Sequence, residues 1–242
     1  MHPVALVCYW YVMATTTTRP PAVFYPDSDG EPIADNTLQF EWIATLKGNL
    51  DLIFRDNPDV FVAGDHLIYP VEGEPGVRQA PDVYVAFGRP KGHRGSYKVF
   101  DEDNIFPQVI FEVWSPGNRF SQMEDKRDFY ARYGAEEYYI VYPDQPEYFE
   151  GWRRDGDRLV RVSDMNGHVS PRLGIRFQMN RGAIAVFWPN DRPFLSYVEL
   201  GTLQEETEAR ADAERTRADA ERQKAERLSA RLRELGVDPD GV

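Results

Sequence analysis

Two segments rich in β-formers, APDVYVAFG (80–88) and IFEVWSPGN (110–118), each carry one carboxylate, Asp82 and Glu112. An acid in an apolar strand costs several kcal/mol unless it is paired or binds a metal. Both stand near strand–loop junctions, so an edge position with the acid in water would explain either one alone. A third residue shifts that balance. Past SPGN, residues Met123, Lys126, Tyr130 and Tyr133 fall at i, i+3, i+7 and i+10, one face of a helix. Met and two Tyr turn that face inward, so Lys126 either meets a carboxylate or snorkels past the tyrosines to water. Two acids and a lysine converging at strand ends suit metal-dependent phosphodiester hydrolysis. The acids would hold a hard cation, Mg²⁺ or Mn²⁺, through oxygen, and the lysine would orient the attacking water or help to deprotonate it.

The elements that must position these groups can be read from periodicity. Leu38, Ile43, Leu46, Leu50 and Ile53 recur three or four apart, which predicts an amphipathic helix over 37–56. Residues 60–71 read as short β runs about a Gly-Asp turn, and strands follow at 82–87 and 109–114. The next helix is predicted over 121–134, opened by a Ser121/Glu124 capping box and closed by Gly134. A strand at 137–143, a hairpin turned at Asp155-Gly156-Asp157 and a last strand pair within 174–190 complete an α/β (α+β) domain around a mixed β-sheet flanked by helices.

The chain has 242 residues, 42% hydrophobic and 13% aromatic, enough for one domain with a real core plus an appendage. A net charge of −12 argues against a broadly basic surface that grips nucleic acid by phosphate neutralisation, though not against a local basic groove. Cys8 is the only cysteine, which excludes an internal disulfide and a cysteine zinc site and fits a reducing cytoplasm. The apolar run VALVCYWYVM (4–13) is about half the ~20 residues of a membrane span and has no Lys or Arg ahead of it. It reads as an extension ahead of Met13, and no membrane association is expected.

The expected divisions are an extended lead-in over 1–34, the domain over 35–202 and a charged helical tail over 203–242. In the tail, ADAERTR (211–217) is followed directly by ADAERQK (218–224). Ala211, Ala218, Ala225 and Leu232 share one heptad position, with Leu228 and Leu235 at another. An alanine seam of three to four heptads reads as a solvated single helix or as a weak coiled coil joining copies of the chain.

Taken in order, P-D (81–82), E-V-W-S-P (112–116), Lys126 and YYIVYPD (138–144) resemble the restriction-endonuclease-like PD-(D/E)XK superfamily, and more closely its bacterial Uma-two family of endonucleases. The resemblance covers roughly residues 35–200. It implies a restriction-endonuclease-like core and an Mg²⁺- or Mn²⁺-dependent endonuclease acting on nucleic acid, with DNA the first expectation. It also implies Asp82 and Glu112 as metal ligands, the Val113 carbonyl as a third, and Lys126 as the residue that orients or activates water. The usual E-x-K lysine position holds Trp114, and the Uma-like pattern moves the lysine to the following helix. The superfamily often adds an acid from its first helix, which here would be Glu41. Asp65 and Glu72, ahead of the Asp82 strand, are further helpers.

Other chemistries lack their spacings. His66, His93 and His168 form no HxxxH or HExxH, Ser115 has no GxSxG elbow, and no P-loop or GxGxxG occurs. The loop with Arg89, Lys91, His93, Arg94, Tyr97 and Lys98 could touch phosphates or be plain solvated surface. The alternative to an enzyme is a catalytically inactive nuclease-fold module that binds nucleic acid, or a protein partner through the helical tail.

Overall fold

The computed structural model describes residues 23–144, 148–180 and 183–236. The apolar run 4–13, Cys8 and Met13 lie outside these. In chain order the elements are α1 (Thr37–Ile53), β1 (Val60–Gly64), β2 (Ile68–Tyr69), β3 (Val83–Phe87), β4 (Tyr97–Lys98), β5 (Val109–Val113), α2 (Phe120–Tyr133), β6 (Glu137–Val141), β7 (Phe149–Asp155), β8 (Arg158–Arg161), β9 (Arg176–Asn180), β10 (Ala183–Phe187) and α3 (Tyr197–Glu234).

Six strands form one mixed sheet in the order β1-β3-β5-β6-β7-β8. All neighbours are antiparallel except β5 and β6, which run parallel from Val109↔Glu137 to Val113↔Val141. A parallel pair needs a crossover, and α2 is that crossover. It therefore lies over the strand that carries Glu112.

Strand alternation sorts the core into two layers. Val83, Val85, Val109, Phe111 and Val113 turn to one face and pack with Ile43, Leu46 and Leu50 of α1. Burying Leu46 and Leu50 completely stabilises the domain by about 1.5–3 kcal/mol each, and Leu46→Ala would open a cavity in this layer at a cost of about 2–5 kcal/mol. Tyr84, Ala86, Ile110, Tyr138 and Ile140 turn to the opposite face and meet Met123 and Tyr130 of α2. Glu112, at 0% exposure, sits among these apolar groups.

Several boundaries differ from the sequence reading, each for a local reason. The first helix ends at Ile53, with turns beyond it. The second begins one residue early: Gln122 Oε1 accepts the N–H of Arg119 at 2.8 Å, so the N-terminus is closed there and not by a Ser121/Glu124 pair. Gly134 ends it as expected, at φ 121°. The tail helix starts at Tyr197, ahead of residue 203, because Ser196 and Glu199 cap it reciprocally. No residue of that helix is buried. Among the described residues no helix is long and apolar enough to cross a membrane.

Candidate metal-binding and catalytic site

Asp82 stands one residue before β3, and Glu112 is the penultimate residue of β5. The antiparallel register Val83↔Phe111 brings the start of one strand beside the end of the other. Alternation points both acids to the face that α2 covers. On α2, Lys126 and Tyr130 are one turn apart and both reach Glu112: Lys126 Nζ donates to Oε2 and Tyr130 Oη donates to Oε1, each at 2.7 Å. Asp82 Oδ2 accepts the backbone N–H of Val113 at 2.6 Å. The three predicted residues therefore share one place. They line an open pocket of about 600 Å³ together with Asp29, Asp65 and Asp125.

The backbone around the Val113 carbonyl is held by a residue that the sequence reading did not single out. Gln39 of α1, 6% exposed, donates Nε2–H to the Val113 carbonyl at 2.9 Å. Its Oε1 accepts the N–H of Asp35 at 2.8 Å, and its own N–H caps on Asn36 Oδ1 at 2.9 Å. A carbonyl has two lone pairs, so Gln39 leaves Val113 one free. The signal for Gln39 was Asn36-x-x-Gln39, a capping-box spacing at the start of α1. The helical spacing marks Tyr130 only as a packing residue and carries no separate signal for its hydroxyl bond to Glu112.

The helpers divide. Asp65 lines the pocket, and its N–H donates to the Asp82 carbonyl at 3.1 Å. Its φ of 44° is the left-handed conformation that Asp tolerates at a tight turn. Glu41 is exposed and lines a different hollow with Trp42, Ile184 and Ser196, so the first helix contributes Gln39 here and not an acid. Glu72 is exposed in the turn after β2 and does not line the pocket. The basic loop is also elsewhere: Arg89 and Arg94 are tied to Glu102, and Lys91 to the Phe54 carbonyl.

Electrostatics follow from this crowding. Burial, reinforced by the Glu112 charge, pushes the Asp82 carboxyl up to about 8, against the smaller opposing pull of Lys126. For Lys126, burial works to lower the pKa, but Glu112 and Asp82 together outweigh it and hold it above the ordinary lysine value. Lys126 is thus a fixed ammonium at neutral pH: it can donate and orient, and it is not a base. Burial and then Glu112 push the Tyr130 hydroxyl well up, so it stays a donor. Burial and Asp29 likewise raise Asp65.

The donor set suits a hard divalent cation in one specific sense. The two carboxylates supply oxygen donors in a pocket where acids outnumber the one lysine, while Val113 does not itself line the pocket and its carbonyl accepts from Gln39 next to Glu112 on β5. Among the described residues no three His, Cys, Asp or Glu side chains converge as a ready cage. An ion here would keep several waters, as Mg²⁺ characteristically does.

Among curated proteins none matches the chain. A solved structure described as "a putative nuclease belonging to DUF820", from Anabaena variabilis, aligns over 56% of this chain and 72% of its own at 9% identity, with a TM-score of 0.42. The family model Uma2, described as "Putative restriction endonuclease", matches residues 18–184, which span both acids, Lys126 and the whole six-stranded sheet, and the chain accordingly belongs to the Uma2 family.

Proposed function

We propose that the protein is a divalent-cation-dependent endonuclease that hydrolyses phosphodiester bonds of nucleic acid, DNA in the first instance. The observation that carries this reading is the meeting of Asp82, Glu112 and Lys126 in one open pocket, with Lys126 2.7 Å from Glu112. Asp82, Glu112 and the free lone pair of Val113 would hold Mg²⁺ or Mn²⁺, which when bound supplies charge neutralisation and an acidified water. Lys126 orients that water and offsets negative charge as it builds on the phosphate oxygens. Being already an ammonium, it does not take the proton. Tyr130 fixes the second Glu112 oxygen, and Gln39 fixes the Val113 carbonyl. Without a cation the pocket repels a phosphate, so substrate and metal enter the scheme together.

The test is cleavage of a panel of DNA and RNA substrates with Mg²⁺, with Mn²⁺ and with EDTA. Cleavage that EDTA stops and added metal restores, and that Asp82→Ala abolishes, supports the reading. Cleavage indifferent to EDTA would refute it. A non-catalytic binding module is the second reading, and one observation favours it: both Glu112 oxygens already accept a donor, so a cation must share one of them with Lys126 or Tyr130. Substrate binding without turnover in either metal would select that module.

A further inference from the structure

The sheet face that carries Glu112 continues beyond it. Trp114 lies two residues on, about 7 Å along the chain, and packs on the same layer. It belongs to a run of rings. Phe120 packs on it at 4.7 Å between centroids and 31°, Tyr142 lies at 5.4 Å and 31°, and Tyr148 meets Tyr142 edge-on at 5.0 Å. Phe120, Tyr142, Tyr148 and Trp152 border an open groove of about 540 Å³ that shares Met123 with the carboxylate pocket. Phe120, the first residue of α2, is 66% exposed and Tyr148 is 41% exposed. Leaving a Phe ring in water forgoes much of what its burial would contribute. Phe120 stands beside the Ser115–Asn118 turn that follows Glu112, with its ring supported by Trp114.

The charges lining the groove balance, Arg127 and Arg161 against Glu124 and Glu150: Arg161 is paired with Glu150 at 2.6 Å, and Arg127 is paired with Asp128 at 3.0 Å and lies 5.7 Å from the centroid of the Trp152 ring. The groove therefore offers aromatic faces with polar edges and no net positive charge, which suits a flat uncharged ring bearing hydrogen-bonding edges. Bases inside a duplex have both faces stacked, so only an unpaired one can enter. We propose that the groove receives an unpaired nucleobase of the strand whose phosphodiester lies in the Asp82–Glu112–Lys126 pocket, stacked on Phe120, so that the substrate is single-stranded or locally opened nucleic acid. This rests on the nuclease reading above.

The test uses the full chain, short single strands of DNA and RNA, the same strands with one abasic site at each position in turn, and the corresponding duplexes. Binding is read by fluorescence anisotropy in Ca²⁺, a hard cation that the same oxygen donors can take, and cleavage in Mg²⁺ and Mn²⁺. Phe120→Ala should weaken single-strand binding and raise KM by about tenfold, with Phe120→Trp restoring both. The salt dependence of binding should not change slope, because no phosphate contact is removed. One abasic position near the cut should reproduce the loss, and intact duplexes should be bound and cut less well than the single strands; the DNA and RNA arms say which backbone is taken. If wild type and Phe120→Ala cut single strands alike, the groove proposal is overturned while the nuclease reading stands. If nothing is cut in either metal but single-strand binding still depends on Phe120, the nuclease reading fails and the groove stands. Absence of both binding and cleavage overturns both.

Discussion

Lys126 Nζ lies 2.7 Å from Glu112 Oε2, and the fourteen positions that separate them hold the end of β5, the Ser115–Asn118 turn and the first turns of α2. The pair thus depends on the angle at which α2 leaves the strand. Lys126→Ala would leave the fully buried Glu112 with Tyr130 as its remaining side-chain donor and should cost about 1–3 kcal/mol of stability. Metal binding should largely survive, because neither carboxylate is removed. Turnover should fall by about 10² or more, the usual scale for a positioned polar group at a reacting centre. Isothermal titration with Mn²⁺ beside single-turnover cleavage separates the two effects; wild-type turnover in the variant would remove Lys126 from the mechanism.

Tyr130→Phe removes one hydroxyl and keeps the ring. Because that hydroxyl donates to Glu112 at 2.7 Å and both side chains are fully buried, the change should lower stability by about 1–3 kcal/mol. A thermal melt with the metal chelated reads it directly. An unchanged melting temperature would mean that water replaces the hydroxyl.

Gln39→Leu tests the inner support of the site. It keeps the bulk of the side chain but frees the Val113 carbonyl and the Asp35 N–H. Supporting residues of this kind typically set metal affinity by about 10–100-fold, and a loss at the low end of that range is expected here. Glu41→Gln, on the same helix, should leave metal affinity unchanged, and the two variants titrated side by side form the control.

That contrast also shows how far the site could be read in advance. Asp82, Glu112 and Lys126 were legible because each obeys a period: alternation sets the two acids on one face, and the i, i+3, i+7 spacing turns Lys126 inward with Met123 and Tyr130. Glu41 was the acid expected from the first helix, but Gln39 and Glu41 are two residues apart and so point to different sides of it. Gln39 carried a visible capping spacing, yet its bond to Val113 spans 74 residues, and no local pattern encodes a contact of that range. The order of strands could be argued only as a mixed sheet, since register depends on which edges meet in space. The heptads that mark the tail begin only at residue 211, whereas the helix starts at the Ser196 cap, a Ser-x-x-Glu spacing that lies outside the repeat.

Removal of residues 204–242 should leave the domain's melting transition within about 2 °C, because α3 buries no residue and an exposed helix contributes little apolar area. Leu228, Leu232 and Leu235 are exposed at helical spacing, at 57%, 38% and 65%. If they form a seam between copies, sedimentation of the full chain will show a dimer that the truncated chain does not form. A fall of many degrees at constant mass would mean that the tail packs on the domain.

The last prediction follows from the raised pKa of Asp82. With the carboxyl held up to about 8 in the folded protein and near 3.8 when unfolded, the folded state binds the extra proton between those values. Stability of the metal-free protein from this group is therefore complete below about pH 4, drains away as pH rises, and is gone above about 8. Mg²⁺ must displace that proton, so its affinity should run the other way, strengthening by about tenfold per pH unit up to about 8 and levelling beyond. Thermal melts of the apo protein from pH 5 to about 8.5 should fall, and saturating Mg²⁺ should restore most at the alkaline end. Asp82→Asn, which cannot titrate, should flatten the apo slope and abolish the metal response together. An apo stability that rises with pH in this window, or a metal affinity independent of pH, would mean that Asp82 and Glu112 are both ionised in the empty pocket and that Lys126 alone neutralises them.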